Sequence, residues 1–165
     1  MKAPIQNEYA GKVRVRGCGV LIENNKILMV KHLGLGTEGY LWIPPGGGVE
    51  VGYSLEETIE REFLEETGLI VESQSFLFLN EFINQRLHAI EIFMDVKKKG
   101  GNLKVGIDPE VDEKKQIIEE VKYLTLEGIK SEGHNKVHSR FCDLSSFEEL
   151  YGSKGFYNFK NNYLK

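Results

Sequence analysis

Two rhythms of apolar and polar residues run along this chain. Lys12 to Glu23 is rich in Val, Ile and Leu, and so is Lys26 to Leu33. Asn24-Asn25 lies between them, and two residues of turn chemistry between β-rich runs predict a hairpin. Gly34 to Gly39 holds three glycines and reads as a loop. Leu41-Trp42-Ile43 is a short apolar strand, closed by Pro44-Pro45 and Gly46-Gly47-Gly48. The period then changes. Ser54 to Thr67 is built from helix formers without Gly or Pro. Ser54-Leu55-Glu56-Glu57 is a capping box, in which the serine oxygen and the third-position carboxylate satisfy free amide donors. Gly68 supplies the stop.

Strands resume at Leu69 to Val71 and Phe76 to Leu79. His88 to Val96 reads as a central strand, ended by Lys97-Lys98-Lys99-Gly100-Gly101. Asp108-Pro109 opens a polar loop. Ile117 to Leu124 follows as a strand, Thr125 to Lys130 as a short helix and Ser145 to Tyr151 as another. Strands, one long helix, strands and more helix predict an α/β fold, a mixed sheet covered by helices. No repeat or linker divides the chain, so residues 1–165 are expected to form a single domain, with an aromatic-rich tail from about residue 141.

Composition narrows the function classes. The chain has 165 residues, 41% hydrophobic and 28% charged, enough to bury a core and remain dissolved. A net charge of -4 gives no overall field for a polyanion, so no nucleic-acid partner is expected. Cys18 and Cys142 are too few for a disulfide framework and are expected as two buried thiols. No apolar run approaches the ~20 residues of a membrane helix, and Met1 to Glu8 lacks the apolar centre of a signal peptide. A cytoplasmic protein with no membrane partner is the expectation.

The informative stretch is Gly46 to Leu69. At about 100° per residue, Glu62 and Glu66 project within roughly 40° of each other, and Glu65 lies about 60° to the other side of Glu62. Like charges at this spacing destabilise a helix, and they stand near its C-terminus, where the macrodipole disfavours anions. Leu55 and Ile59 share their sector, which turns this face toward protein. Divalent cations would neutralise such a cluster, and hard oxygen ligands suit Mg²⁺ or Mn²⁺. A solvated acidic helix has the same periodicity, so spacing alone leaves both readings open.

Gly47-x5-Tyr53-x7-Arg61-Glu62-Phe63-Leu64-Glu65-Glu66-Thr67-Gly68-Leu69 resembles the signature box of the Nudix hydrolases, Gly-x5-Glu-x7-Arg-Glu-U-x-Glu-Glu-x-Gly-U with U bulky and apolar. Eight of its nine specified positions are met. The resemblance implies a Nudix fold, a mixed β-sheet sandwiched between helices. It implies hydrolysis of the pyrophosphate bond of a nucleoside diphosphate linked to another moiety X, a small-molecule partner. Metals would bridge phosphate oxygens and acidify water, and a carboxylate would take the proton from that water. Carried over, Glu62, Glu65 and Glu66 would be metal ligands with the Gly46 carbonyl. Glu62 would also be a candidate base, and Arg61 would orient a glutamate. A further carboxylate is expected on the loop of Asp108, Glu110, Asp112 and Glu113, with Glu113 and Glu110 favoured.

One position departs. Tyr53 stands where the box has a glutamate, which puts rate and metal number in question. Glu50, three residues earlier, would compensate in part on one reading; the reading preferred is a plain exposed turn carboxylate. Tyr53 supports one alternative, a non-catalytic nucleotide-binding or sensor module on the same fold. A second alternative, independent of Tyr53, is an isoprenoid-diphosphate isomerase on that fold, which wants an added Cys and Glu in the cleft.

Other features read blandly. Lys97 to Lys99 reads as a solvated sheet edge. His134-x3-His138 has metal spacing but no third ligand. His88 reads as a structural histidine and Trp42 as core. The seven aromatics from Phe141 onward are too much apolar area to leave in water. They are expected to pack on the sheet edge or across a homodimer.

Overall fold

The computed structural model of the chain describes residues 11–83, 87–107, 117–152 and 155–160, side chains of the last three excepted. Strand β1 spans Val13–Val20, and β2 is Ile22–Glu23. Asn24 and Asn25 take φ of 51° and 57°, the two left-handed residues that a tight hairpin demands, and β3 returns over Lys26–Leu33. Tyr40–Ile43 forms β4 and Gly46–Gly48 forms β5. Helix α1 runs Leu55–Thr67, then β6 Leu69–Ile83, β7 His88–Gly101 and β8 Ile118–Leu124. Short helices α2, α3 and α4 occupy Leu126–Glu132, Ser139–Cys142 and Glu149–Gly152, and β9 is Phe156–Lys160. No helix among the described residues is long and apolar enough to cross a membrane.

Five strands form one sheet in the order β5-β1-β7-β6-β9, with β1 and β7 parallel and β6 and β7 antiparallel. A second sheet joins β2, β4 and β8 to β3. Apolar residues go to both faces, which explains the unbroken apolar runs. Ile27, Met29, Phe78 and Phe93 pack with Trp42, Phe141 and Phe147 on one side. Leu28, Val30 and Met94 pack with Ile59 and Phe63 of α1 on the other. Burial of these side chains contributes about 1.5–3 kcal/mol each. Gly17 and Gly19 let α1 lie against β1. A Cβ on Gly17 would stand 2.8 Å from Leu55, and one on Gly19 2.4 Å from Phe63.

The sequence-derived helix over Ser54 to Thr67 is present with both caps. Ser54 accepts from the Glu57 amide, Glu57 accepts from the Ser54 amide, and Gly68 closes α1 at φ 71°. Several boundaries differ. Leu69 to Leu79 is one strand, because bulges at Ser73 to Phe78 carry the polar residues without breaking the ladder to β7. Lys97 to Lys99 lies inside β7, which runs beyond the core as a ribbon paired with β6. The three glycines Gly46 to Gly48 are a strand on β1. The expected helix over Ser145 to Tyr151 shrinks to α4, with the Ser145 and Ser146 amides donating to Glu149 Oε1 at 2.9 and 3.2 Å. Both cysteines are free and buried. Part of the aromatic tail forms β9, which runs parallel to β6 at the sheet edge and sets Tyr157 edge-on to Phe78 with ring centroids 5.7 Å apart.

Candidate active site

The caps fix the position of α1, and the side chains of its C-terminal half then meet the glycine strand β5. A Cβ on Gly47 would lie 2.1 Å from Glu62 Oε1, so the carboxylate rests on the space that only glycine leaves. One residue back, the Gly46 amide donates to Glu66 Oε2 at 3.0 Å. Glu66 is the most buried of the three carboxylates, with 8% of its side chain exposed against 15% for Glu62 and 27% for Glu65.

Arg61 binds the outer part of the cluster. Its Nη2 is 3.0 Å from Glu62 Oε1, and its Nη1 donates to Glu65 Oε2 at 3.1 Å. Glu50 also reaches Arg61, with Oε1 3.6 Å from Nη2. The turn carboxylate therefore does face the cluster, while Tyr53 is 53% exposed at the entrance to α1. Burial opposes the charge on Arg61, but Glu62, Glu65 and Glu50 outweigh it and raise its pKa.

The structure thus brings Glu62, Arg61, Glu65, Glu66 and Gly46 to one place, with Glu62 and Glu65 drawn onto a guanidinium. As the side chains stand, no three His, Cys, Asp or Glu among the described residues are gathered closely enough to hold a metal ion. The donors are nonetheless all hard oxygens, three carboxylates and a carbonyl around the cradle at Gly47. That set fits a divalent cation once the Arg61 contacts relax. Asp108, Glu110, Asp112 and Glu113 lie outside the described residues.

Sequence reasoning missed a second set of polar groups, behind β5. The Arg16 guanidinium donates from Nη2 to the Gly46 carbonyl at 2.9 Å and from Nη1 to Glu91 Oε1 at 3.3 Å. The other Glu91 oxygen faces His138 Nε2 at 2.9 Å and accepts from Asn80 Nδ2 at 2.7 Å. Burial works against the Glu91 charge, but His138, Arg16 and Asn80 more than offset it and hold its pKa down to about 2. His32 Nε2 stands 3.5 Å from Glu66 Oε1. Burial, with Arg16 and Arg14 nearby, lowers the His32 pKa to about 3, so its ring is neutral. The available signal was weak, since Arg16 shares β1 with Arg14, and Glu91 shares β7 with Asp95 and with Lys97 to Lys99.

The remaining features resolve simply. His134 contacts Asp143 while His138 is buried on Glu91, so the two histidines do not share a site. His88 pairs with Glu81 at 2.8 Å. Burial pushes the Cys18 thiol up to about 12 and Cys142 up to about 11, with Asp143 adding to the latter. Neither thiol is poised for the proton transfers of an isomerase.

The description of the NUDIX domain matches residues 13–144, and the chain belongs to that family. It is 38% identical over 92 residues to an ADP-ribose pyrophosphatase of Methanocaldococcus jannaschii, a stretch covering 54% of each protein. The chain spans about half the length, or less, of the curated relatives it matches. A NUDIX hydrolase from Nitrosomonas europaea superposes with a TM-score of 0.64 at 18% identity, over 76% of this chain and 80% of its own. A UDP-X diphosphatase does so with a TM-score of 0.62 at 20% identity, over 90% of this chain and 68% of its own. At these identities the likeness to both structures is one of fold.

Proposed function

We propose that this protein hydrolyses the pyrophosphate bond of a nucleoside diphosphate linked to a second moiety. Glu62, Glu65, Glu66 and the Gly46 carbonyl would hold a divalent cation, Mg²⁺ or Mn²⁺. The observation that carries this reading is the meeting of α1 with β5, which lays Glu62 over Gly47 and ties Glu66 to Gly46. Pyrophosphate hydrolysis asks for positioning and charge stabilisation rather than a covalent intermediate. The cation, when bound, supplies that stabilisation and acidifies water.

The chain's own groups do the rest. Glu66, fixed by the Gly46 amide, aims one oxygen without loss of side-chain freedom at the moment of binding. Glu62 is the candidate base for the attacking water. Arg61 positions Glu62 by an ion pair and Glu65 by a charge-assisted hydrogen bond. Glu110 and Glu113 are proposed as assisting carboxylates from the polar loop. ADP-ribose is the first substrate to try, supported by the Methanocaldococcus jannaschii relative.

The test is a screen with Mg²⁺ or Mn²⁺ against ADP-ribose, UDP-sugars and dinucleoside polyphosphates, followed by Glu66→Gln and Glu65→Gln. Each substitution should lower turnover by orders of magnitude with the fold retained. Full activity in Glu66→Gln would overturn the assignment.

A further inference from the structure

The Gly46 peptide is held from both ends. Its amide is on Glu66 and its carbonyl is on Arg16, whose Nη2 lies 2.9 Å from the oxygen. That oxygen is also the backbone ligand of the proposed cation site, so two positive groups have a claim on one acceptor. Its two lone pairs leave room for both. Charge does not. A cation sits about 2.1 Å from a ligand oxygen, which would bring it within roughly 5 Å of the guanidinium. At a buried position such repulsion is weakly screened.

Arg16 is anchored for this competition. Only 12% of its side chain is exposed, and Glu91, itself braced by His138 and Asn80, holds its Nη1. Its Nε is buried and has no hydrogen-bond partner. A guanidinium beside a cation site, with one donor unused, matches the oxygens of a phosphate group. A pyrophosphate carries the negative charge that would let cation and guanidinium coexist.

We propose that Arg16 makes cation binding conditional on substrate: it weakens the site when the Gly46 carbonyl is its own acceptor, and strengthens it when a pyrophosphate bridges the two positive charges. The inference rests on the cation site proposed above. Linkage then requires that cation and substrate each tighten the other's binding by the same factor. Arg16 acts through Gly46 and the charge balance, and is a positioning residue.

Mn²⁺ binding measured by electron paramagnetic resonance, without turnover, tests this. In the wild type, α,β-methylene-ADP, which cannot be hydrolysed between its phosphates, should tighten Mn²⁺ binding about tenfold. Arg16→Gln with Glu91→Gln removes the buried pair together. This protein should bind Mn²⁺ alone about tenfold more tightly than the wild type and lose most of the coupling. Arg16→Lys, which keeps the buried charge but cannot serve Gly46 and Glu91 at once, should move both quantities the same way by less. It covers the case in which the double variant does not fold. Unchanged affinity and coupling in these variants, with binding still lost in Glu66→Gln, would overturn the role of Arg16 and leave the site standing. Wild-type Mn²⁺ binding in Glu66→Gln would remove the site, and this role with it.

Discussion

Gly46 and Gly47 are neighbours on one short strand, yet a methyl group on each should do opposite things. In Gly47→Ala the new Cβ meets Glu62 Oε1 at 2.1 Å, Cδ at 2.3 Å and Oε2 at 2.7 Å, all at the far end of a flexible side chain. The carboxylate must withdraw by more than about 1 Å to reach ordinary contact, and a displacement of that size at a reacting centre costs about 10²-fold in rate. Stability should hardly move. Gly47 has no positive φ, so alanine fits the backbone and gains about 0.4–1 kcal/mol by restricting the unfolded chain. The loosened contact with Arg61, part-exposed, takes back at most about 1 kcal/mol. In Gly46→Ala the Cβ instead meets backbone, Gly17 O at 2.2 Å and Cys18 Cα at 2.7 Å. Neither can step aside without parting β5 from β1, at a cost of about 1–3 kcal/mol or more. Thermal unfolding and kcat for both variants decide the matter. Gly47→Ala should lose about 10²-fold in kcat and be as stable as the wild type, while Gly46→Ala should melt several degrees lower, at roughly 2–4 °C per kcal/mol. Full turnover in Gly47→Ala would refute the placement of Glu62 at the reacting centre. A large drop in its melting temperature would refute the claim that only a side-chain end is in the way.

Three more outcomes are expected. Tyr53→Glu should raise turnover or cation affinity, measured by Mn²⁺ titration, because it adds a carboxylate in the turn that carries Glu50, whose carbonyl accepts from the residue 53 amide; no change in either would show that position 53 plays no part. Ending the chain after Gly152 removes β9 and the stacking of Tyr157 with Arg140, whose guanidinium carbon lies 4.3 Å from the ring centroid. Melting should fall by several degrees, and an unchanged melting temperature, oligomeric state and substrate profile would make the tail dispensable. Glu91 titrates near 4.5 in the unfolded chain and at about 2 when folded. A depressed carboxylate stabilises the fold fully above the unfolded value, and that contribution is lost as pH falls from about 4.5 toward 2. Glu91→Gln should therefore be less stable at neutral pH and show a flatter decline across that window in pH-dependent chemical denaturation.

Elements whose cause is local were legible in the sequence. The helix α1 carries its own start and stop in Ser54, Glu57 and Gly68, and the hairpin turn carries Asn24-Asn25. The carboxylate face followed from helical spacing once the caps fixed the helix. Elements whose cause is a partner strand were not. Ser73 to Ser75 reads as a break in any window of sequence, and only the ladder to β7 keeps it extended. Gly46 to Gly48 has the composition of a loop, and β1 makes it a strand. Arg16 and Glu91 are 75 positions apart, and nothing near either one announces the other. A charge inside a largely apolar strand is ambiguous until the sheet order is known.

The parallel pairing of β1 with β7 also has a consequence for how the chain comes together. Val13 is opposite His88 and Val20 opposite Asp95, so the first strand of the domain waits for a partner 75 residues further along. Closing a loop of that length costs entropy before any contact repays it, which slows folding. During synthesis, α1 and the β2–β3 hairpin form early from local signals. The central seam of the sheet cannot close until His88 to Gly101 has left the ribosome. Arg16 and Glu91 meet only then, across that same seam. The carbonyl of Gly46 thus acquires its charged neighbour in the same event that completes the sheet, and a chain with that seam unformed lacks the arrangement at Gly46 altogether.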